Sequence, residues 1–235
     1  MVLLRKRPDF PSLRDRLVRR LQQEGCIKTS KVARALRHIP REEFIAKENI
    51  TFAYDDSPIS LGDSYQTISA PHMVAIMLEE LDLKAGLTVL EIGSGSGYNA
   101  AVMAEIIRSS KGSVESSRVV SVERLPSLVE FSRSNLERTG YSNQVDVVLG
   151  DGSLGYPERS IEQVYDRIIV TAASPSIPRY LESQLKENGI ILIPVGEPHI
   201  QNLTKAIKKS GRLTKMNICE CMFVPLVGAN GYGAN

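Results

Sequence analysis

The segment from Thr88 to Gly97, TVLEIGSGSG, restricts the possible folds of this chain more than any other stretch. A short apolar run of the kind found in buried strands leads into three glycines at alternating positions, and the residues that follow, YNAAVMAEII, favour a helix. Glycine lets a ligand approach the backbone closely, and the first turn of a helix has free N–H groups. The pattern therefore predicts a strand, a tight turn and a helix that together form a pocket for a polar ligand.

The remaining sequence predicts strands that alternate with helices around this segment. Because the strands are apolar on both faces, they indicate a mostly parallel sheet covered by helices on both sides. We expect an α/β, doubly wound, seven-stranded sheet that ends in an antiparallel strand pair joined by a turn at Ser210 and Gly211. The further strands are predicted at residues 118–124, 145–152, 166–173, 190–196, 201–208 and 212–226, and helices at 126–139 and 177–188.

The N-terminal part predicts a helical appendage followed by a long loop. Ser12 is predicted to cap a first helix and Thr29 a second, and a short third helix is expected at REEFIAK. Residues 54–69 have no sustained period, so they are predicted to be a lid or substrate loop. We expect one compact domain with three parts, namely residues 1–70, a ligand-binding core at 71–200, and strands at 201–235 that complete the sheet.

Composition limits the classes of function. No apolar run approaches the roughly 20 residues of a membrane-spanning helix, and the basic start does not have the order of a signal peptide, so a cytoplasmic protein without a membrane partner is expected. The three cysteines do not form a metal-binding pattern, and no metal is expected. Residues 1–47 contain thirteen Lys or Arg and five Asp or Glu. This excess of 13 − 5 = +8 is more typical of a solvated helix face than of a nucleic-acid site.

Two cofactor classes suit the glycine turn. Gly95, Gly97 and Ala100 match the GxGxxG/A spacing of nicotinamide and flavin sites. S-adenosylmethionine is the alternative, and Glu91 favours it, because a carboxylate attracts its cationic end and repels a pyrophosphate. Asp151, at the end of the third strand, is placed to accept a hydrogen bond from an adenine amino group.

Eight short sequence motifs, in a fixed order, resemble those of a known family over nearly the whole chain. They are SPISLG, QTISAPHM, VLEIGSGSGY, SVER, GDGSLGY, YDRIIVTAA, IPVG and FVPL, and in this order the chain resembles protein L-isoaspartate O-methyltransferases. The resemblance implies a Rossmann-like methyltransferase fold. It also implies methyl transfer from S-adenosyl-L-methionine, with S-adenosyl-L-homocysteine as product, to the free α-carboxylate of isoaspartyl residues in damaged proteins and peptides.

The resemblance also implies roles for individual residues. Ser69 matches the active-site serine, and with Ala70 and His72 it would bind the substrate, although a helix cap at Ser69 and a packed His72 are the simpler alternatives. The loop has four residues between Gly62 and Thr67 where the family usually has three, which leaves the role of Tyr65 open. The expected cofactor contacts are Gln66, Thr67, Ile68, Glu91, Gly93, Ser94, Gly95, Ser96, Gly97, Glu123, Arg124, Asp151 and Gly152.

Two other functions stay open at this point. One is a different carboxyl or small-molecule methyltransferase that uses the same cofactor. The other is a non-catalytic module that binds RNA through the basic N-terminal helices. The sequence does not predict an oligomeric state.

Overall fold

The computed structural model describes residues 8–108 and 117–233. Its helices are α1 (Phe10–Gln23), α2 (Ser30–His38), α3 (Pro71–Glu80), α4 (Tyr98–Ile107), α5 (Pro126–Thr139) and α6 (Arg179–Gln184). Its strands are β1 (Ile59–Ser60), β2 (Thr67–Ile68), β3 (Thr88–Ile92), β4 (Arg118–Glu123), β5 (Val145–Leu149), β6 (Tyr165–Val170), β7 (Leu185–Glu197), β8 (Ile200–Lys209) and β9 (Arg212–Cys221).

Seven strands form one sheet in the order β5-β4-β3-β6-β7-β8-β9. The first five of these run parallel, whereas β8 pairs antiparallel with both β7 and β9. The predicted fold class is therefore confirmed, including the C-terminal antiparallel pair and its turn at Ser210 and Gly211. Strand β3, which precedes the glycine turn, lies in the middle of the sheet between β4 and β6.

The alternation along β3 explains how the sheet is packed. Val89 belongs to an apolar cluster that also contains residues of helices α1 to α5. Leu90 and Ile92 point to the other face, into a second cluster with Leu181 of α6 and Leu226 near the C-terminus. Burial on both faces is what a central parallel strand requires, and it fixes the direction of every side chain before the glycine turn.

Several predicted helix limits are confirmed and others are wrong. Thr29 caps α2 through its side chain, and Gly140 ends α5 in a left-handed conformation with φ 81°. Ser12 is not the cap of α1, because the Asp9 carboxylate accepts a hydrogen bond from the Ser12 backbone N–H. The helix predicted at 177–188 ends at Gln184, since the chain from Leu185 already belongs to the 13-residue strand β7.

The start of α3 also differs from the prediction. The helix begins at Pro71, and Ala70 occupies the N-cap position without a side-chain hydrogen bond, so Ser69 does not cap it. Instead, Asp56 Oδ1 accepts a hydrogen bond from the His72 backbone N–H at 2.9 Å. A carboxylate 16 residues upstream thus supplies the negative charge that a helix N-terminus favours.

The predicted loop at 54–69 contains a small amount of regular structure. Strands β1 and β2 pair as a two-stranded antiparallel sheet, with Ile59 opposite Ile68. The polar loop predicted at 109–117 lies, apart from Ser117, outside the described residues. Within the described ranges, none of the helices combines the length and apolarity needed to cross a membrane.

Leu78 of α3 provides a test of this packing. The side chain is 0% exposed within the first apolar cluster, so Leu78→Ala should lower the free energy of unfolding by about 2–5 kcal/mol. Leu149→Ala removes the same atoms from a side chain that is 53% exposed, and should change it by less than about 0.5 kcal/mol. Urea denaturation of both variants measures the difference, and equal losses would contradict the packing described.

Candidate functional site

A cavity of about 600 Å³ lies at the carboxyl ends of the central strands. Ile92 and Gly93 at the end of β3, Glu123 at the end of β4 and Thr171 after β6 contribute to its wall. This is the edge at which open α/β sheets bind ligands. Thirteen of the residues expected from the sequence lie on the wall, namely Gln66, Thr67, Ile68, Ser69, Ala70, His72, Gly93, Ser94, Gly95, Ser96, Glu123, Arg124 and Gly152.

The glycines of the turn are required for different reasons. Gly93 has φ 96°, and a Cβ there would lie 2.3 Å from Thr171 Oγ1, so no side chain can be accommodated. Gly97 has φ 84°, and it faces α5, where a Cβ would lie 3.2–3.3 Å from Leu136 and Ser132. Gly97 is not on the cavity wall. Because Gly97 has no side chain, α4 can pack closely on α5. The position of Gly97 therefore gives no support to the predicted contact with the cofactor.

Glu123 fixes the shape of the turn. Its Oε2 accepts a hydrogen bond from the Gly95 N–H at 3.0 Å, and its Oε1 accepts from the N–H groups of Arg124 at 2.8 Å and Leu125 at 3.0 Å. The carboxylate therefore joins the turn after β3 to the start of α5. Because each oxygen has two lone pairs, an acceptor position on Oε2 is left for a ligand hydroxyl.

Glu91 has a different place from the one expected. Its side chain lies on the α4 side of β3, is 0% exposed and is not part of the cavity wall. Asn99 Nδ2 donates to Glu91 Oε1 at 2.8 Å, and the Ser121 hydroxyl donates to Oε2. Burial raises the pKa of this carboxyl to about 7, against the hydrogen bonds from Ser121 and Asn99, which favour the ionised form. Glu91 thus lies behind the cavity wall and not on it.

Asn99 and Ser94 line the wall, and each has a polar atom without a partner in the described residues. These atoms, Asn99 Oδ1 and Ser94 Oγ, are buried within the protein. A buried acceptor without a partner is costly unless a ligand satisfies it, so these two atoms mark where a ligand donor is expected. Sequence reasoning missed Asn99. The available signal was its place two residues after Gly97, in the first turn of the helix that follows the glycines.

The Asp151-Gly152 turn contributes its backbone rather than its carboxylate. Gly152 lies on the wall, and a Cβ there would be 2.3 Å from Ile92 Cγ2. The Asp151 carboxylate accepts from the N–H groups of Ser153 at 2.9 Å and Ala229 at 2.8 Å, and Asp151 does not line the cavity. It therefore holds the C-terminal segment, and this differs from the expected adenine contact.

Another part of the wall comes from the 54–69 loop and the start of α3. Ser69 and Ala70 lie on it together with His72, whose Nδ1 is 2.9 Å from Asp56 Oδ1. Tyr65 is 92% exposed with φ 57° and does not line the cavity. The end of β9 and the segment after it, residues 220–227, also form part of the wall. Among residues 8–108 and 117–233 there is no group of three or more His, Cys, Asp or Glu that could hold a metal ion.

Comparisons with known proteins agree over most of the chain. A model of the protein-L-isoaspartate(D-aspartate) O-methyltransferase (PCMT) family matches residues 12–231. A protein-L-isoaspartate O-methyltransferase from Hyperthermus butylicus is 49% identical over 225 residues, which is 95% of this chain and 92% of that protein. A protein of the same name from Staphylothermus marinus is 49% identical, with 96% and 99% of the two chains covered.

A solved structure shows the same architecture. It is a protein-L-isoaspartate O-methyltransferase from Plasmodium falciparum in complex with S-adenosyl-L-homocysteine. The TM-score is 0.79 at 29% sequence identity, and the match covers 90% of this chain and 96% of that one.

Glu91 should make the stability of the ligand-free protein depend on pH. Its pKa is about 7 in the folded chain and near 4.5 when unfolded, so the stabilisation present below pH 4.5 is lost as the pH rises through 7. The loss is of the order of 3 kcal/mol. Glu91→Gln should therefore remove this part of the pH dependence in urea denaturation between pH 4.5 and 8. Glu137→Gln, on the exposed face of α5, is the control, and an unchanged pH dependence in Glu91→Gln would contradict this placement.

Proposed function

The chain belongs to the protein-L-isoaspartate(D-aspartate) O-methyltransferase family, and from this premise we propose that its cavity is the active site of a repair enzyme. The enzyme is dependent on S-adenosyl-L-methionine and transfers a methyl group to the free α-carboxylate of isoaspartyl residues in damaged proteins and peptides. The observation that carries this proposal is that the match spans residues 12–231 and includes both the glycine turn and Ser69, which line one cavity.

The cavity wall offers the acceptors that this cofactor requires. Asn99 Oδ1 and the Glu123 carboxylate can accept hydrogen bonds from an ammonium group and from ribose hydroxyls. When bound, the cofactor supplies an electrophilic methyl group. We assign the methionine part to Ser94 and Asn99, the ribose to Glu123 and Arg124, and the adenine to the wall at Gly152.

The substrate is assigned to the wall formed by Ser69, Ala70 and His72. An α-carboxylate has a pKa of about 3.3–3.9 and is already an anionic nucleophile at neutral pH, so the protein does not need a general base. The Ser69 hydroxyl can donate a hydrogen bond that orients the carboxylate. Orientation of this kind contributes up to roughly 7–11 kcal/mol in well-aligned reactions. Residues 66–69 of the 54–69 loop form part of this wall, and exclusion of water by the loop would favour a transfer that neutralises two charges.

The charges of the N-terminal region favour the enzyme over the RNA-binding alternative. Arg14 pairs with Glu42, Arg20 with Asp56, and Arg37 with Asp15, so three of the basic side chains are already engaged within the protein. We keep the division into residues 1–70, 71–200 and 201–235 as part of this proposal. A cytoplasmic location also belongs to it, and the free thiols of Cys26, Cys219 and Cys221 support it.

Two synthetic peptides test the substrate. They are identical except that one has an isoaspartyl residue where the other has aspartate, and both are incubated with labelled S-adenosyl-L-methionine. We expect base-labile methyl groups on the isoaspartyl peptide only, because the site holds a free α-carboxylate. Equal labelling of both would favour a general carboxyl methyltransferase. No labelling of either, together with RNA binding that weakens steeply with salt, would favour the binding module.

Asn99→Leu tests the assignment of the methionine part. The substitution removes a buried acceptor, so the Kd for S-adenosyl-L-homocysteine should rise about 10–100-fold by calorimetry. The Kd for 5′-methylthioadenosine, which lacks the amino-acid part, should stay within about threefold. Gln144→Leu is the matched control, because Gln144 Oε1 is likewise buried without a partner in the described residues but lies away from the cavity wall. Equal weakening of both ligands in Asn99→Leu would contradict the assignment.

A further inference from the structure

Arg41 is buried between the two ends of the 54–69 loop. The side chain is 0% exposed. Its Nε donates to the carbonyl oxygen of Ala53 at 3.0 Å, and its Nη2 donates to the carbonyl oxygen of Ser69 at 2.8 Å. Ala53 directly precedes the loop and Ser69 is its last residue. One guanidinium group therefore binds the backbone at both ends of the segment that carries the proposed active-site serine.

The same side chain contacts the other half of the site. The Arg41 guanidinium lies over the ring of Tyr98, with its Cζ 5.0 Å from the ring centroid. Tyr98 is the first residue of α4 after the glycine turn, and it lines the cavity. Arg41 thus connects the loop to α4, the helix that follows the glycine turn. A cation–π contact of this kind is stronger when it is shielded from water, as it is here.

The charge of Arg41 has no counter-ion in contact. Among residues 8–108 and 117–233, no carboxylate oxygen lies within 4.0 Å of the guanidinium, and Nη1 has no hydrogen-bond partner. Burial lowers the pKa of Arg41, but a guanidinium keeps its proton in proteins. A buried cation without an anion is expensive, so an apolar residue would pack here at lower cost. Its presence at this place therefore points to a role besides packing.

We propose that Arg41 is a positioning residue of this enzyme, which fixes both ends of the 54–69 loop and so places Ser69 against the cofactor half of the cavity. Its positive charge also favours an anionic group bound beside Ser69. The inference rests on the proposed function only for the identity of that anion. The planar guanidinium group of arginine has several N–H donors, so it can bind two carbonyl groups while it stacks on an aromatic ring. The ammonium group of lysine cannot do both.

The chain offers a closely matched control in Arg167. That side chain is 8% exposed and also donates to backbone carbonyls, including those of Leu81 and Asp82, but it lies away from the cavity wall. Burial lowers the pKa of Arg167 as it does that of Arg41. Arg41→Met and Arg167→Met therefore remove similar interactions from the protein, and only one of the two sites is next to Ser69.

Kinetics with the isoaspartyl peptide give the first readout. In Arg41→Met, kcat/KM should fall about 10–100-fold with contributions from both kcat and KM, whereas Arg167→Met should stay within about threefold. Arg41→Lys keeps the charge but holds one loop end at most, so it should recover KM more than kcat. The Kd for S-adenosyl-L-homocysteine should change less than kcat/KM does in the Arg41 variants, and by less than about threefold in Arg167→Met. If Arg41→Met does not fold, the same kinetic comparison with Arg167→Met is made with Arg41→Lys alone.

Hydrogen exchange gives a second readout that needs no substrate. The amide of Leu61, which donates to the Gln66 carbonyl within the loop, should exchange at least about tenfold faster in Arg41→Met than in the parent protein and in Arg167→Met. If the parent protein methylates no isoaspartyl peptide while this difference is present, the proposed function fails and the loop role stands. The inference is overturned if the Arg41 variants match Arg167→Met in both kcat/KM and loop exchange.

Discussion

The three hydrogen bonds that the Glu123 carboxylate accepts are the interaction on which the site depends. One comes from the Gly95 N–H in the turn after β3, and two come from the N–H groups of Arg124 and Leu125 before α5. These donors have no partner within a strand or helix, and a buried N–H without an acceptor is costly. A carboxylate at the end of β4 therefore holds together two connections that belong to neighbouring strands. The cavity opens where these connections meet, so its shape follows from sheet order and one acidic side chain.

The short 3₁₀ turn at Arg41–Phe44 fastens the N-terminal helices to this core. Its residues contact α1, α4, α5 and the 54–69 loop. Arg41 binds the ends of the loop, Glu42 accepts hydrogen bonds from Arg14 and Tyr54, and Glu43 pairs with Arg138 of α5. The Phe44 ring meets the Tyr98 ring edge-on, with centroids 5.5 Å apart. The N-terminal region is thus connected to the cavity wall through the contacts of Arg41 with Ser69 and of Phe44 with Tyr98.

The sequence predicted most of the sheet because its signals are local. The periodicity of the apolar residues, the runs of β-branched residues and the glycines at the ends of elements identified β3 to β6, α5 and the two C-terminal strands. What it missed depends on partners that are distant along the chain. The start of α3 is capped by Asp56, and the end of α6 is set by the pairing of β7, so neither limit is visible in the residues around it. Glu91 illustrates the same point. Alternation along β3 places it opposite Leu90, but only the packing of α4 shows that Asn99 lies between it and the cavity.

The distribution of charge around the cavity has a consequence for the proposed reaction. On the proposed cofactor side, Glu123 lies on the wall and Glu91 lies behind Asn99. On the proposed substrate side, the buried cation Arg41 lies beside Ser69. This polarity matches a sulfonium cation on one side and a carboxylate anion on the other. Methyl transfer neutralises both ions at once, since an ester and a thioether are formed. The attractions on the two sides are then lost together, so the same charges that bring the reactants into place do not hold the products. A site built in this way favours binding before transfer and release after it, without a change in the protonation of any side chain.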